Sequence, residues 1–265
     1  MHTNSFPINY IKSIYPPTKA LKNRNQLSWP QILLLFFFMT FLMLAPVVNH
    51  YQNIAIFSIE DFYPNVVEMI NDEVLDGLQN GEFSEGTLTV TSPFSIGSDQ
   101  GLIVGGVEKI DEEPVNILVF NTNHFIIGDE MGDERVVNYT GQTNFNFNNK
   151  DELVHVLSEM YTTQYRGEMI FTLTMIVYGF ILVFSLFIVF LYAFLIKSMK
   201  DFSMSSILTY KEAVNFVLNL IAFPTIAAVL FGFIRFNIIL MMAIQVVLLI
   251  GSFVILFRQT NFEDR

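Results

Sequence analysis

The sequence predicts an α-helical integral membrane protein with four transmembrane helices and a small extracytoplasmic α+β domain inserted between helices 1 and 2. Three observations predict it. The chain is 52% hydrophobic and only 15% charged, a membrane composition. Four stretches, 30–48, 170–196, 213–231 and 237–257, contain no Asp, Glu, Lys or Arg, and each is close to the length of about 20 apolar residues that crosses a bilayer. The charge is also sorted: residues 50–168 hold 21 of the 25 acids against Lys109, Arg135, Lys150 and Arg166, a net of −17.

That sorting predicts orientation, because Lys and Arg flanking a span stay cytoplasmic. Residues 1–29 carry Lys12, Lys19, Lys22 and Arg24 with no acid, and loop 197–211 carries Lys197, Lys200 and Lys211 against Asp201. Both are read as cytoplasmic, and four spans return the tail 258–265, with Arg258 and Arg265, to the same side. Block 50–168 then lies outside a bacterial plasma membrane, and the formal net charge of −11 describes one face only. Arg235, between the last two spans, sits on the outer side against the rule. The run Leu33–Leu44 follows a basic leader, but Pro46-Val47-Val48-Asn49-His50 lacks a small-x-small cleavage site, so it is read as a retained span.

Within 50–168 the periodicity changes along the chain. Apolar residues at Phe62, Val66, Val67, Ile70, Val74, Leu75 and Leu78 predict one amphipathic helix over 59–78, closed by Gly81. Short β-branched and aromatic runs predict strands at Thr87–Thr91, Leu102–Val104, Val115–Phe120, Phe125–Ile127 and Arg135–Tyr139 in a small antiparallel sheet. Asn121-Thr122-Asn123 predicts a hairpin turn with Asn at positive φ. Leu153, Val154, Leu157, Met160 and Tyr161 predict a helix over 150–167 that runs into span two.

No catalytic, metal or cofactor residue is expected. Zero cysteines exclude disulfides, thiol catalysis and cysteine metal sites. The acidic block lacks a calcium loop's Asp spacing. His155 and Glu159 stand one turn apart without the second His of a metalloprotease, and Gly101–Gly106 lacks a phosphate loop's Gly-Lys-Ser/Thr ending. His124 reads as an ordinary strand or turn residue, and Asn138-Tyr139-Thr140 as a chance sequon.

The uncommon residues inside the spans are Asn215, Asn219, Pro224, Thr225 and Gln245. Asn215 and Asn219 share a helical face, where amides bond across helices. They are the predicted helix-packing, partner or ligand face, and Pro224 is expected to kink span three and open a gap lined by Asn219 and Thr225. Before span one, Phe6, Ile8, Ile11, Ile14 and Tyr15 predict an amphipathic helix stopped by Pro16-Pro17, with Lys12, Lys19, Lys22 and Arg24 as anchors to anionic lipid.

Tyr10-Ile11-Lys12-Ser13-Ile14-Tyr15-Pro16-Pro17 before a first span, Gly86-Thr87-Leu88-Thr89-Val90 in the exported block, and a three-span C-terminal half together resemble an uncharacterised family of Firmicutes membrane proteins, some labelled maltodextrin utilisation proteins. Members look like distant relatives of the Yip-type membrane proteins, a group that includes transporter companions. The resemblance brings no catalytic residues, and Gly97–Glu113 departs from it as a longer, more acidic insertion. It implies a non-enzymatic accessory or regulatory subunit that docks on a transporter, of ABC and carbohydrate type, or on an envelope complex. A membrane sensor signalling through span two and a lipid or small-solute transporter are the other readings. Expected partners are the lipid bilayer and a membrane protein, and not nucleic acid.

Overall fold

A computed structural model describes residues 6–107, 115–130, 133–140, 145, 147–201, 207 and 209–262, with the backbone alone for 199–201. The chain divides into two compact units, Met1–Asn53 with Ile170–Arg265, and Ile54–Met169.

Four helices of the chain are long and apolar enough to cross a membrane. In the first, α3 (Trp29–Leu42) is followed by α4 (Leu44–Gln52), with Met43 between them. Pro46 explains the interruption, since it offers no N–H to the carbonyl of Leu42 and its ring crowds that turn. This helical path reaches four residues beyond the predicted end at 48. The second, α7 (Lys150–Asp201), is a single helix of 52 residues whose first part is counted in one unit and its remainder in the other. The third and fourth are α8 (Tyr210–Ile234) and α9 (Ile238–Thr260). Each starts on a side-chain cap: Glu212 N–H donates to Thr209 Oγ1 at 3.2 Å, and Leu240 N–H to Asn237 Oδ1 at 2.9 Å. The helix α8 continues through Pro224. The loop residues 202–206 and 208, and tail residues 263–265, lie outside the described residues.

The N-terminal segment differs from the single helix predicted. Two short helices form, α1 (Ile8–Ser13) and α2 (Pro17–Lys22). Pro16-Pro17 ends the first and opens the second, because the fixed φ of proline suits the first turn of a helix. Tyr10, Ala20, Leu21 and Leu27 are buried in one apolar cluster with Phe216, Val217 and Leu220 of α8 and Leu249 and Leu256 of α9. A second cluster joins Met43, Leu44 and Val47 to Ile181, Ala228, Val229 and Met241.

In the unit Ile54–Met169 the predicted helix over 59–78 is three pieces. A 3-10 turn (Ile59–Asp61) precedes α5 (Pro64–Glu68) and α6 (Asp72–Gln79). Pro64 opens α5 at its first position, where a missing N–H and a fixed φ suit a helix start, and the Asn71 side chain accepts from Val74 N–H at 3.1 Å to start α6. Strands β1 (Glu82–Ser84) and β2 (Thr87–Thr89) form a hairpin, whose turn residues Glu85 and Gly86 have φ of 52° and 81°. That mirror-image turn is the one requiring positive φ. The predicted Asn121–Asn123 turn does without it, since positive φ among described non-glycine residues occurs at Glu85, Asn261 and Phe262.

The main sheet has the order β3-β4-β5-β6-β7, from Phe94–Ser98, Gly101–Gly105, Ile117–Phe120, His124–Gly128 and Arg135–Asn138. It is mixed, with β4 and β5 parallel, and not the antiparallel sheet predicted. Strands β1 and β3 were not expected. Phe94 anchors β3 through the absence of other side chains, because a Cβ on Gly77 of α6 or Gly105 of β4 would strike its ring. The central strand β5 is buried at every residue, as a strand covered on both faces must be. The stretch read as an insertion over 97–113 includes the β3–β4 hairpin, and its most acidic part, 108–113, lies outside the described residues.

Side chains of α7 tie this unit together. Ser158 Oγ and Thr162 Oγ1 accept from the N–H groups of Ile59 and Phe57, both at 2.9 Å. Arg166 donates to the carbonyls of Ile54 and Ala55 at 2.8 and 3.2 Å. On the far edge Arg135 of β7 grips Glu168 with two bonds of 2.7 and 3.3 Å.

Candidate functional site

Polar side chains are scarce on the four long helices, so those that are buried mark where the interior departs from plain packing. Asn215, Asn219, Thr225 and Gln245 are exposed by 0, 1, 0 and 3%, which turns the predicted polar face of α8 into the helical unit. The Gln245 amide donates to Thr225 Oγ1 at 2.8 Å, and the Thr225 hydroxyl donates to the Ile221 carbonyl at 2.9 Å. This joins α8 to α9 one residue past Pro224.

Asn215 and Asn219 behave differently. All four of their amide atoms are buried with no hydrogen-bond partner, as are the hydroxyls of Ser185 and Thr174 on α7. An unsatisfied buried polar group costs about 1–3 kcal/mol, so this arrangement is not one that packing alone favours.

A small cavity adjoins the Thr225–Gln245 bond. Thr40 of α3, Ser185 of α7, Thr225 of α8 and Gln245 of α9 line it, together with Phe36, Met39, Val189, Leu218 and Ile221. Each long helical path therefore contributes one polar residue. Asn219, expected beside Thr225 in a gap opened by Pro224, does not line it. Ser185 and Thr40 carried no signal in the sequence, because lone hydroxyls in apolar helices commonly bond back to their own backbone, as Thr40 does to the Phe37 carbonyl at 3.0 Å.

The four predicted lipid anchors separate into two kinds. Lys12, Lys19 and Lys22 are exposed on α1 and α2. Arg24 instead reaches Glu212 in the first turn of α8, Nε to Oε2 at 3.8 Å, with both side chains 11% exposed. Its Nη1 also donates to the Leu21 carbonyl at 3.0 Å. Tyr10 donates its hydroxyl to the Leu218 carbonyl at 3.1 Å, so α1 is bonded to α8 as well. Burial holds the Tyr10 phenol well above its ordinary pKa. Glu212 was legible in the sequence, since Thr209-Tyr210-Lys211-Glu212 has the spacing of a capping box.

The unit Ile54–Met169 has a second concavity. Ile56, Ser58, Glu60, Asp151, Val154, His155 and Ser158 line an open cleft of ≈ 360 Å³. His155 belongs to it, whereas Glu159 does not. No group of three or more His, Cys, Asp or Glu residues placed to hold a metal ion occurs among the described residues. His124 lies at the start of β6, where its Nε2 stands 3.0 Å from the Asn121 amide nitrogen. At the same end of β6 Phe83, Phe125, Tyr139 and Phe145 pack ring against ring. The Tyr139 hydroxyl is buried there without a partner, and burial raises its pKa. Tyr63 is raised too, by burial first and then by its 3.3 Å contact with the Tyr161 hydroxyl.

No family model matches the chain, and no solved structure matches it. Two relatives do. The maltodextrose utilization protein MalA of Streptococcus pneumoniae is 29% identical over 264 residues, covering 98% of this chain and 97% of the relative. A Bacillus subtilis protein, provisionally named maltodextrin utilization protein YvdJ, is 24% identical over 259 residues, covering 92% of this chain and 86% of its own. These relatives support a family labelled for maltodextrin utilisation, to which the chain is similar along nearly its whole length.

Proposed function

We propose that the chain is a non-enzymatic accessory or regulatory subunit of maltodextrin utilisation in a bacterial plasma membrane, docking on a carbohydrate transporter, of ABC type, or on an envelope complex. The observation that carries this reading is the similarity to MalA over 98% of this chain and 97% of that one, which spans both units and all four long helices. In this reading residues 50–168 face outward, both termini are cytoplasmic, and Lys12, Lys19 and Lys22 meet the inner leaflet. The large exposed apolar side chains of the helical unit, such as Phe180 at 70% and Ile239 at 76%, favour a lipid or protein neighbour over water. Because Asn215 and Asn219 are buried, the docking face falls to outward residues of α9, the least covered of the four helices.

Affinity isolation of the full-length protein from native membranes grown on maltodextrin tests the proposal. A stoichiometric carbohydrate transporter or envelope enzyme is the expected companion, lost on Val247→Trp with Ile250→Trp on α9 while insertion is retained. Recovery of the protein alone after crosslinking overturns it.

A membrane sensor is the second reading, favoured by two observations. The polar cleft at Glu60, Asp151 and His155 is walled by the first turns of α7, and α7 runs unbroken from Lys150 to Asp201. A sensor requires that maltodextrins raise the Tm of the full-length protein in nanodiscs and that Asp151→Asn abolish the shift. No shift removes this reading.

A further inference from the structure

Four buried hydroxyl or amide side chains, one from each long helical path, meet at one cavity: Thr40, Ser185, Thr225 and Gln245 are 2, 4, 0 and 3% exposed. The cavity leaves ≈ 10 Å³ for the centre of a water molecule. That size decides the class of occupant. About 10–15 Å³ is what the centre of one water needs, and neither a sugar ring nor a lipid chain fits. Water also needs two to four polar partners, and dry cavities are lined by apolar groups alone.

The hydrogen-bond inventory around the cavity is incomplete in the way one water completes. Ser185 Oγ is buried with no partner. Gln245 spends an N–H on Thr225, which leaves its amide oxygen as an acceptor. Thr40 spends its proton on the Phe37 carbonyl and keeps acceptor capacity. We propose that this node is a binding site for a single resident water, which accepts from Ser185 and donates to Gln245 and Thr40. The water ties α3, α7 and α9 together and, through the Gln245–Thr225 bond, α8. The node is thereby a filled joint of the helical unit.

Radiolytic hydroxyl labelling of the full-length protein in lipid nanodiscs tests this, because a resident water oxidises side chains beside it that bulk radicals do not reach. Met39 lines the cavity, whereas Met43 and Met241, 1% and 0% exposed, belong to the other apolar cluster. The expected result is Met39 oxidised at least several-fold faster than Met43 and Met241, with Ser185→Val returning it to their level. Ser185→Ala gives a second readout. With a water present it lowers Tm by removing one of the water's partners, and in a dry cavity it raises Tm by deleting an unpaired hydroxyl. Met39 labelling at the control level in the wild type, or a rise in Tm on Ser185→Ala, overturns the proposal.

Discussion

The two units differ in which large side chains they expose. In the unit Ile54–Met169 the fully buried large side chains are apolar, among them Phe120, Phe125, Leu118 and Leu153, and none of the described acids is buried. Its buried hydroxyls at Ser158 and Thr162 are spent on backbone N–H groups. In the helical unit large apolar side chains such as Phe38, Phe180, Phe187 and Ile239 are exposed, and the amides of Asn215 and Asn219 are buried and unpaired. The difference is the one expected if the helical unit lies in lipid, as proposed above, and the other unit in water. Water drives the first fold by rejecting apolar surface, but between helices in lipid that drive is absent, and small residues, close contact and rare polar bonds hold the helices.

Four sets of substitutions bear on this contrast. The largest effect belongs to the water-built core. Phe125→Ala, at a residue 0% exposed, is expected to cost about 3–5 kcal/mol, read as a lowered unfolding midpoint of the full-length protein by limited proteolysis within 54–169. The matched truncation Phe180→Ala, at 70% exposure, should leave that midpoint unchanged. An equal loss at both sites erases the distinction.

A charge inverts the ranking. Phe180→Asp is expected to cost about 2.5–3.5 kcal/mol in a membrane-insertion assay, whereas Val136→Asp, 43% exposed on β7, should shift stability by less than about 0.5 kcal/mol. Full insertion of the Phe180→Asp protein contradicts the bilayer reading of α7.

The orphaned amides give a prediction of opposite sign. Asn215→Leu and Asn219→Leu are near-isosteric and delete two unsatisfied buried atoms each, so each is expected to raise stability by about 1–3 kcal/mol in nanodisc melts. A loss of that size instead shows that the amides have partners in the membrane. If stability rises while utilisation of maltodextrin fails, the amides are kept for activity at a cost in stability.

A smaller gain is expected at Tyr139. Its buried hydroxyl lacks a partner, so Tyr139→Phe should gain about 1 kcal/mol. Burial raises the phenol in the folded chain, so it stays protonated there, while an unfolded tyrosine ionises near about pH 10. Stability is therefore full below that pH and falls as pH rises above it. Tyr139→Phe should blunt this alkaline loss, measured as Tm against pH from about 8 to 11, and an unchanged profile removes Tyr139 from it.

Legibility in the sequence followed the range of the forces involved. The four long helices were readable because about 20 consecutive apolar residues are a local property. The α7 helix was readable from Leu153, Leu157 and Met160 running without a breaker toward the apolar stretch. Pro64 and Asn71 were visible signals that break the apolar spacing of 59–78, since proline favours the first turn of a new helix and an Asn side chain caps the start of another. Strand β3 was unreadable because Phe94 owes its place to glycines elsewhere in the chain, Gly77 and Gly105. Strand β4 was readable in part, as Leu102–Val104, but its parallel pairing with β5 is a contact between distant residues that no local pattern records.

The sequence by itself determined the count of apolar helices, the sorting of charge around them, and the sheet-bearing stretch between the first two. These follow from composition and periodicity within a window of a few turns. Only the tertiary structure decided that Arg24 pairs with Glu212, that Tyr10 bonds to α8, that the Asn215–Asn219 face is buried, and that Thr40, Ser185, Thr225 and Gln245 meet at one cavity. The physical reason is distance along the chain. These groups are brought together by helix packing across up to 208 residues of separation, as for Tyr10 and Leu218, and no local pattern records which faces will meet.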